Sequence, residues 1–340
     1  MAKTNGKKFL SFLGRFALLH LAINTVFAFL FLYIQHSLPA FNRVALDTFS
    51  PYQPFSFSTI ITQFVRILAC GMVLYPFYDT ITNGRRGMFI LFGAMWGLAF
   101  FASVDPAPGT IQGMIYTQAT IFEHAVTIIS VALQMLVFAW LFTKWEALSQ
   151  YGLPRKEKTD IVNPESRPPD DLPDDEPEEI TPLESISRNV TLYTIRFMLL
   201  HLASYLISGS VFYQAAEYSG VIASRETFEL FRPQEEYNYF FLLIISGQIL
   251  RGIVLALLIY PFHNTFITRI HGWFLLFGLL FGLTLLGSPV FIPVTLLREA
   301  AFVEIIGNLR IGIPEAITQM LLFSVVFVYW QKRLYRKRNL

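Results

Sequence analysis

The chain has 340 residues, of which 54% are hydrophobic and only 15% charged, against about 25% charged in an average soluble domain. Its formal net charge is +2 and it holds a single cysteine, Cys70. These values exclude a disulfide framework, a Cys-rich metal site and an ordinary soluble domain, and they place the chain among membrane proteins.

Apolar runs of about 20 residues recur, each long enough to cross a hydrocarbon core of about 30 Å. Eight spans are predicted, at 10–34, 57–79, 87–104, 118–143, 191–213, 240–262, 272–291 and 311–331. The expected fold class is an all-α polytopic membrane protein with two tandem four-helix repeats. The basic start MAKTNGKK leads into an apolar stretch that is too long for a signal peptide, so it is read as a retained span. Arg15, shallow in this span, is expected to snorkel to the head groups, as is Arg196 further on. Cys70 in the second span is read as a small buried apolar residue.

Pro76 and Pro261 are expected to end or kink the second and sixth spans, with Tyr75 and Tyr260 suited to an interfacial belt. Gly93-x-x-x-Gly97 and Gly278-x-x-x-Gly282 provide small-residue packing faces in the third and seventh spans, with the partner helix left open. The segment 105–117 reads as an extracellular loop, with a re-entrant or lid-like loop as the alternative. Residues 294–310 read as an amphipathic segment along the outer interface. His36, His263 and His271 read as interfacial.

Residues 146–189 differ in kind. Between Lys156 and Glu184 there are eleven acids and three bases, with many prolines. Such a stretch cannot bury enough apolar surface to fold, so a disordered cytoplasmic linker is expected. The chain then divides into a first membrane repeat (1–145), the linker (146–189) and a second repeat with a basic tail (190–340). The rest of the chain is basic, which suits anionic lipid head groups and calls for no nucleic acid; the acidic linker offers a place for a protein partner.

The division rests on self-similarity. Residues 15–22 read RFALLHLA and residues 196–203 read RFMLLHLA. Beyond them an offset of 185 aligns Gln63 and Arg66 with Gln248 and Arg251, the YPF of 75–77 with that of 260–262, and Gln134, Met135 and Trp145 with Gln319, Met320 and Trp330. Four spans per repeat orient both copies alike, giving a parallel pseudo-two-fold arrangement. Lys and Arg in the short loops and tails place both termini in the cytoplasm, most simply at a plasma (inner) membrane.

Charged groups inside a span cost about 2.5–3.5 kcal/mol on insertion scales and therefore need a reason. His20 and Arg66 fall at similar depths, roughly 14–15 Å from opposite faces. With Asn24 and Gln63 one turn outward, they can form two stacked polar layers. The second repeat offers His201 and Arg251, then Gln248 with Tyr205. Glu123 and Glu315, opening the fourth and eighth spans, are candidate acidic partners. One reading is structural, with Arg66 paired to Glu123 and Arg251 to Glu315, satisfied by His and Gln. The other is a basic cavity that holds an anion or an anionic head group through forked Arg contacts.

A metal site of His20, His124 and Glu123 lacks ligand spacing. No cofactor motif appears, and no HExxH, G-x-S-x-G or P-loop. The leading functional expectation is a transporter or permease for a small anion or lipid head group, rather than an enzyme. A non-transporting scaffold or sensor working through the linker and tail is the alternative, and an intramembrane enzyme is the remotest.

Overall fold

In hydrocarbon a backbone N–H or C=O without an internal partner costs several kcal/mol, so long apolar segments take up helix, which satisfies each group within its own segment. The computed structural model describes residues 2–37, 57–104, 106–117, 119–150, 182–215, 237–288 and 312–338, and among them it contains helices and no β-strand. In the first half α1 is Ala2–Ser37 and α2 is Phe57–Leu74. A 3-10 turn at Tyr75–Phe77 leads to α3, Tyr78–Ile81. Helix α4 is Gly84–Phe92 and continues as a π-helix over Gly93–Phe101. The short α5, Ile111–Tyr116, precedes α6, Ile121–Gln150.

The second half holds α7, Pro182–Ala215, and α8, Tyr237–Ile259. A 3-10 turn at Tyr260–Phe262 leads to α9, His263–Thr268. Helix α10, Gly272–Leu279, continues as a π-helix over Leu280–Leu286, and α11 is Ile313–Arg338. Helices α6 and α7 therefore reach into both ends of the expected linker; residues 151–181 lie outside the described residues, as does the amphipathic segment 294–310.

Six helical segments are long and apolar enough to cross a membrane: Gly6–Ile34, Ile60–Ile81, Ile121–Ser149, Asn189–Phe212, Phe241–Thr268 and Ile313–Arg336. Their outer faces expose Leu18, Phe29, Leu133, Leu199, Val211 and Leu242, while His20, Gln63, Arg66, His201, Gln248 and Arg251 are buried. Polar groups inside and apolar groups outside is the distribution that lipid requires.

The segments expected as third and seventh spans are not among these six. Gly272–Leu286 is an apolar helix below the spanning length, about 22 Å long at 1.5 Å per residue. Both π segments are buried, through Ala94, Met95, Leu98, Ala99 and Phe100 in one and Leu280, Leu283, Thr284 and Leu285 in the other. Each proline marks a change from α to 3-10 helix at the place where the sequence reading put a break or kink: the proline removes an N–H, and the helix resumes beyond it.

The halves meet through the small residues. Gly97 lies against Leu258 of α8, with no room for a Cβ, and Gly282 lies in the same way against Val73 of α2. Gly93 also faces Leu258, whereas Gly278 borders open space. Phe77 packs edge-on to Phe262 at a centroid distance of 4.8 Å and on Phe266 at 5.6 Å. Within each half the rings repeat. Phe16 meets Phe138 and Phe142 at 5.0 and 5.2 Å; Phe197 meets Phe323 and Phe327 at 4.5 and 5.0 Å.

Candidate functional site

The polar site of the second half is built on α7, α8 and the segment that joins α4 to α6. Gly252 removes the side chain that would separate α7 from α8: a Cβ there would stand 3.1 Å from the Cα of Met198 and 3.3 Å from the His201 ring. This close approach seats His201 beside Gln248 and within the field of the Arg251 guanidinium. Both side chains and Arg251 are buried, Arg251 with 3% of its surface exposed.

The segment 106–117 is no surface loop. Ala107, Thr110, Ile111, Gln112, Ile115 and Thr117 are buried, so the segment packs into the protein. Its turn is held locally. Gly109 takes φ +87, a left-handed conformation that glycine adopts without a Cβ penalty. Its N–H donates to His124 Nδ1 at 2.8 Å. Thr110 caps α5, its Oγ1 accepting from Gly113 N–H at 2.8 Å. Helix α5 then docks on the other half. Ile115 fills the space above Gly247, Gln112 Oε1 accepts from Gln248 Nε2 at 3.4 Å, and the hydroxyls of Tyr116 and Tyr205 share a 2.8 Å bond.

Arg251 Nε donates to the Ala102 carbonyl at 3.1 Å, where the π-helix of the first half ends. The backbone crosses between the halves beside it, Val104 N–H donating to Thr284 O at 3.0 Å. Among the described residues no carboxylate pairs with Arg251, so the expected Arg251–Glu315 pair is not formed. Glu315 instead lies near Gly209, 3.6 Å from where its Cβ would stand. Its charge and that of Arg251 both act on Tyr205, which lies within reach of each. Among the described residues three buried polar atoms here lack a hydrogen-bond partner: His201 Nε2, Gln248 Oε1 and, on the residue after Ala102, Ser103 Oγ.

In the first half His20, Gln63 and Arg66 are likewise buried, and the Arg66 charge acts on both His20 and Cys70. Among the described residues both His20 ring nitrogens and Gln63 Oε1 have no hydrogen-bond partner. Asn24 turns away from the expected layer with Gln63: its Oδ1 accepts from Gln134 Nε2 of α6 at 3.0 Å. Glu123 Oε2 accepts from Thr120 N and Oγ1 at 2.6 and 2.9 Å while Glu123 N–H donates to Thr120 Oγ1, a capping box that starts α6. His124 thus receives Gly109 N–H and Glu123 receives Thr120. Among the described residues no group of three His, Cys, Asp or Glu side chains converges on a metal-sized site.

Sequence reasoning missed Glu146, which it assigned to the linker. The residue is fully buried on α6 and makes a forked pair with Arg15, Nε to Oε1 at 2.6 Å and Nη2 to Oε2 at 3.0 Å. Tyr78 O–H donates to Oε2 at 2.6 Å. Arg15 is therefore held by a carboxylate rather than left to snorkel. The missed signal was spacing: Glu146 follows Phe138 and Phe142 along one buried helical face. No protein-family model, curated protein or solved structure matches this chain.

Proposed function

We propose that this is a multi-pass membrane permease for a small anion or an anionic lipid head group, with Arg251 as the principal binding cation. One observation carries the proposal: a guanidinium buried among apolar helices with, among the described residues, no carboxylate opposite it. Arginine stays charged in proteins, and a buried unpaired charge is strongly unfavourable. A bound anion would relieve that cost. The unpartnered His201 Nε2, Gln248 Oε1 and Ser103 Oγ supply further polar contacts at the same place, and a ligand with both acceptor oxygens and an O–H suits that mixture.

In this reading the chain forms eight crossings in two parallel four-helix repeats, the short π-ended helices completing each repeat inside a ring of six longer ones. Arg66 with His20 and Gln63 forms a second basic pocket, and Glu123 and Glu315 flank the pockets. π-Helical turns often accompany functional sites, and here they meet between the halves, where relative movement would expose Arg251 to one side or the other. The termini face the cytoplasm of a plasma (inner) membrane, and the acidic sequence between the repeats offers a place for a cytoplasmic protein partner.

The test is native mass spectrometry of the protein extracted with its own lipids, comparing wild type with Arg251→Gln and Arg251→Lys, alongside their melting temperatures. A defined anionic mass held by wild type, lost in Arg251→Gln and weakened in Arg251→Lys supports the site and identifies the ligand class. No bound species in wild type, with both variants melting lower, makes Arg251 a structural residue and removes the proposal.

A further inference from the structure

The two halves treat a second arginine differently. In the first half Arg15 is neutralised by the buried Glu146 carboxylate, steadied by Tyr78. The position of that pair is set by the rings around it. Phe12, three residues before Arg15, packs on Phe142, four residues before Glu146, at 5.6 Å. Phe12 also packs on Tyr78 at 5.6 Å.

The second half has the same frame. Tyr193, three residues before Arg196, packs on Phe327, four residues before Gln331, at 5.4 Å. It packs on His263 at 4.8 Å. Helix geometry then places Arg196, Gln331 and His263 where the first half has Arg15, Glu146 and Tyr78. The carboxylate has been replaced by a neutral amide. Arg196 has no hydrogen-bond or ion-pair partner among the described residues. Gln331 is 7% exposed, and its Nε2 has no hydrogen-bond partner among the described residues.

We infer that Arg196, Gln331 and His263 form a binding site for an external oxyanion, which takes the place that the Glu146 carboxylate fills in the first half. A guanidinium, an amide N–H₂ and an imidazole N–H offer donors to phosphate or carboxylate oxygens. Arg196 is half-buried and lies seven residues into the span Asn189–Phe212, about 10 Å along the helix, within reach of a phospholipid phosphate by snorkelling. The shared chemistry is a phosphate, from a lipid head group or free in solution. This site is separate from Arg251 and does not depend on the permease reading.

The experiment is native mass spectrometry of the full chain in detergent, titrated separately with short-chain phosphatidic acid and with inorganic phosphate. Gln331→Glu supplies an internal carboxylate like that of the first half, so it should fold, melt no lower than wild type and bind at least about tenfold more weakly. Arg196→Gln should lose the same bound molecule. Binding of phosphatidic acid alone assigns a lipid head group, and equal binding of both probes assigns a free oxyanion. Wild-type binding unchanged by both substitutions, or absent for both probes, overturns the inference. Binding that disappears in Arg251→Gln but persists in Gln331→Glu also overturns it, while leaving the deeper site intact.

Discussion

The contact between Gly97 and Leu258 allows the packing of the two halves to be measured directly. A methyl group at Gly97 would stand 2.9 Å from Leu258 Cδ2 and 3.2 Å from Cγ, and closer still to Cδ1. The whole isobutyl group must therefore move, not one end of it. Overpacking of this kind costs about 1–3 kcal/mol. Replacing a helical glycine by alanine opposes that cost by about 0.5–1 kcal/mol, through the smaller entropy lost on folding. The steric term wins, and Gly97→Ala should destabilise by about 0.5–2 kcal/mol. Gly278, with nothing within 4 Å of its Cβ position, is the control: there only the entropic term acts, and Gly278→Ala should be neutral or stabilising by up to about 1 kcal/mol. Shortening Leu258 to alanine makes room for the methyl group. The double variant Gly97→Ala/Leu258→Ala should therefore be more stable than the sum of the single effects by about 1 kcal/mol or more. Thermal unfolding in detergent of the five proteins reads all these differences. A Gly97→Ala protein that melts at or above wild type, or two substitutions that simply add, would refute a close contact between the halves at this point.

Two further outcomes follow from the same geometry. Glu146→Gln removes the charge opposite Arg15, whose side chain is 22% exposed and so keeps some access to solvent; the loss should fall below the usual 3–5 kcal/mol for a fully buried pair, at about 2–3 kcal/mol, with Tyr78→Phe milder, both read as a lowered melting temperature. Gly109→Ala forces a Cβ into positive φ and within 2.7 Å of Phe100, so it should destabilise by about 1–3 kcal/mol and raise hydrogen exchange at 109–117 more than in the long helices.

Some of the candidate site is legible in the sequence alone. Matching depths along two antiparallel helices put His20 with Arg66 and His201 with Arg251, because helical rise converts residue number into height and height is a local quantity. Side-chain direction is not local, and that is where sequence reasoning diverged from the structure. Asn24 chose Gln134 over Gln63. Glu315 took a place near Gly209 and Tyr205 and left Arg251 to the Ala102 carbonyl. Each choice depends on how α6, α7 and α11 are rotated about their axes, which hydropathy leaves undetermined.

By itself the sequence determined that this chain is helical and built to cross a membrane, that it carries a matched set of polar residues in its apolar interior, and that prolines break two of its helices. Composition and period suffice for these, since lipid leaves the backbone so few alternatives. Only the tertiary structure decided that Gly97 and Gly282 serve the contact between the halves, that residues 106–117 fold inward against the helix that carries Gln248 and Arg251, and that Glu146 belongs to the core. These depend on contacts between residues more than a hundred positions apart in several cases, and such contacts are set by the fit of whole helix surfaces rather than by the pattern along any one of them.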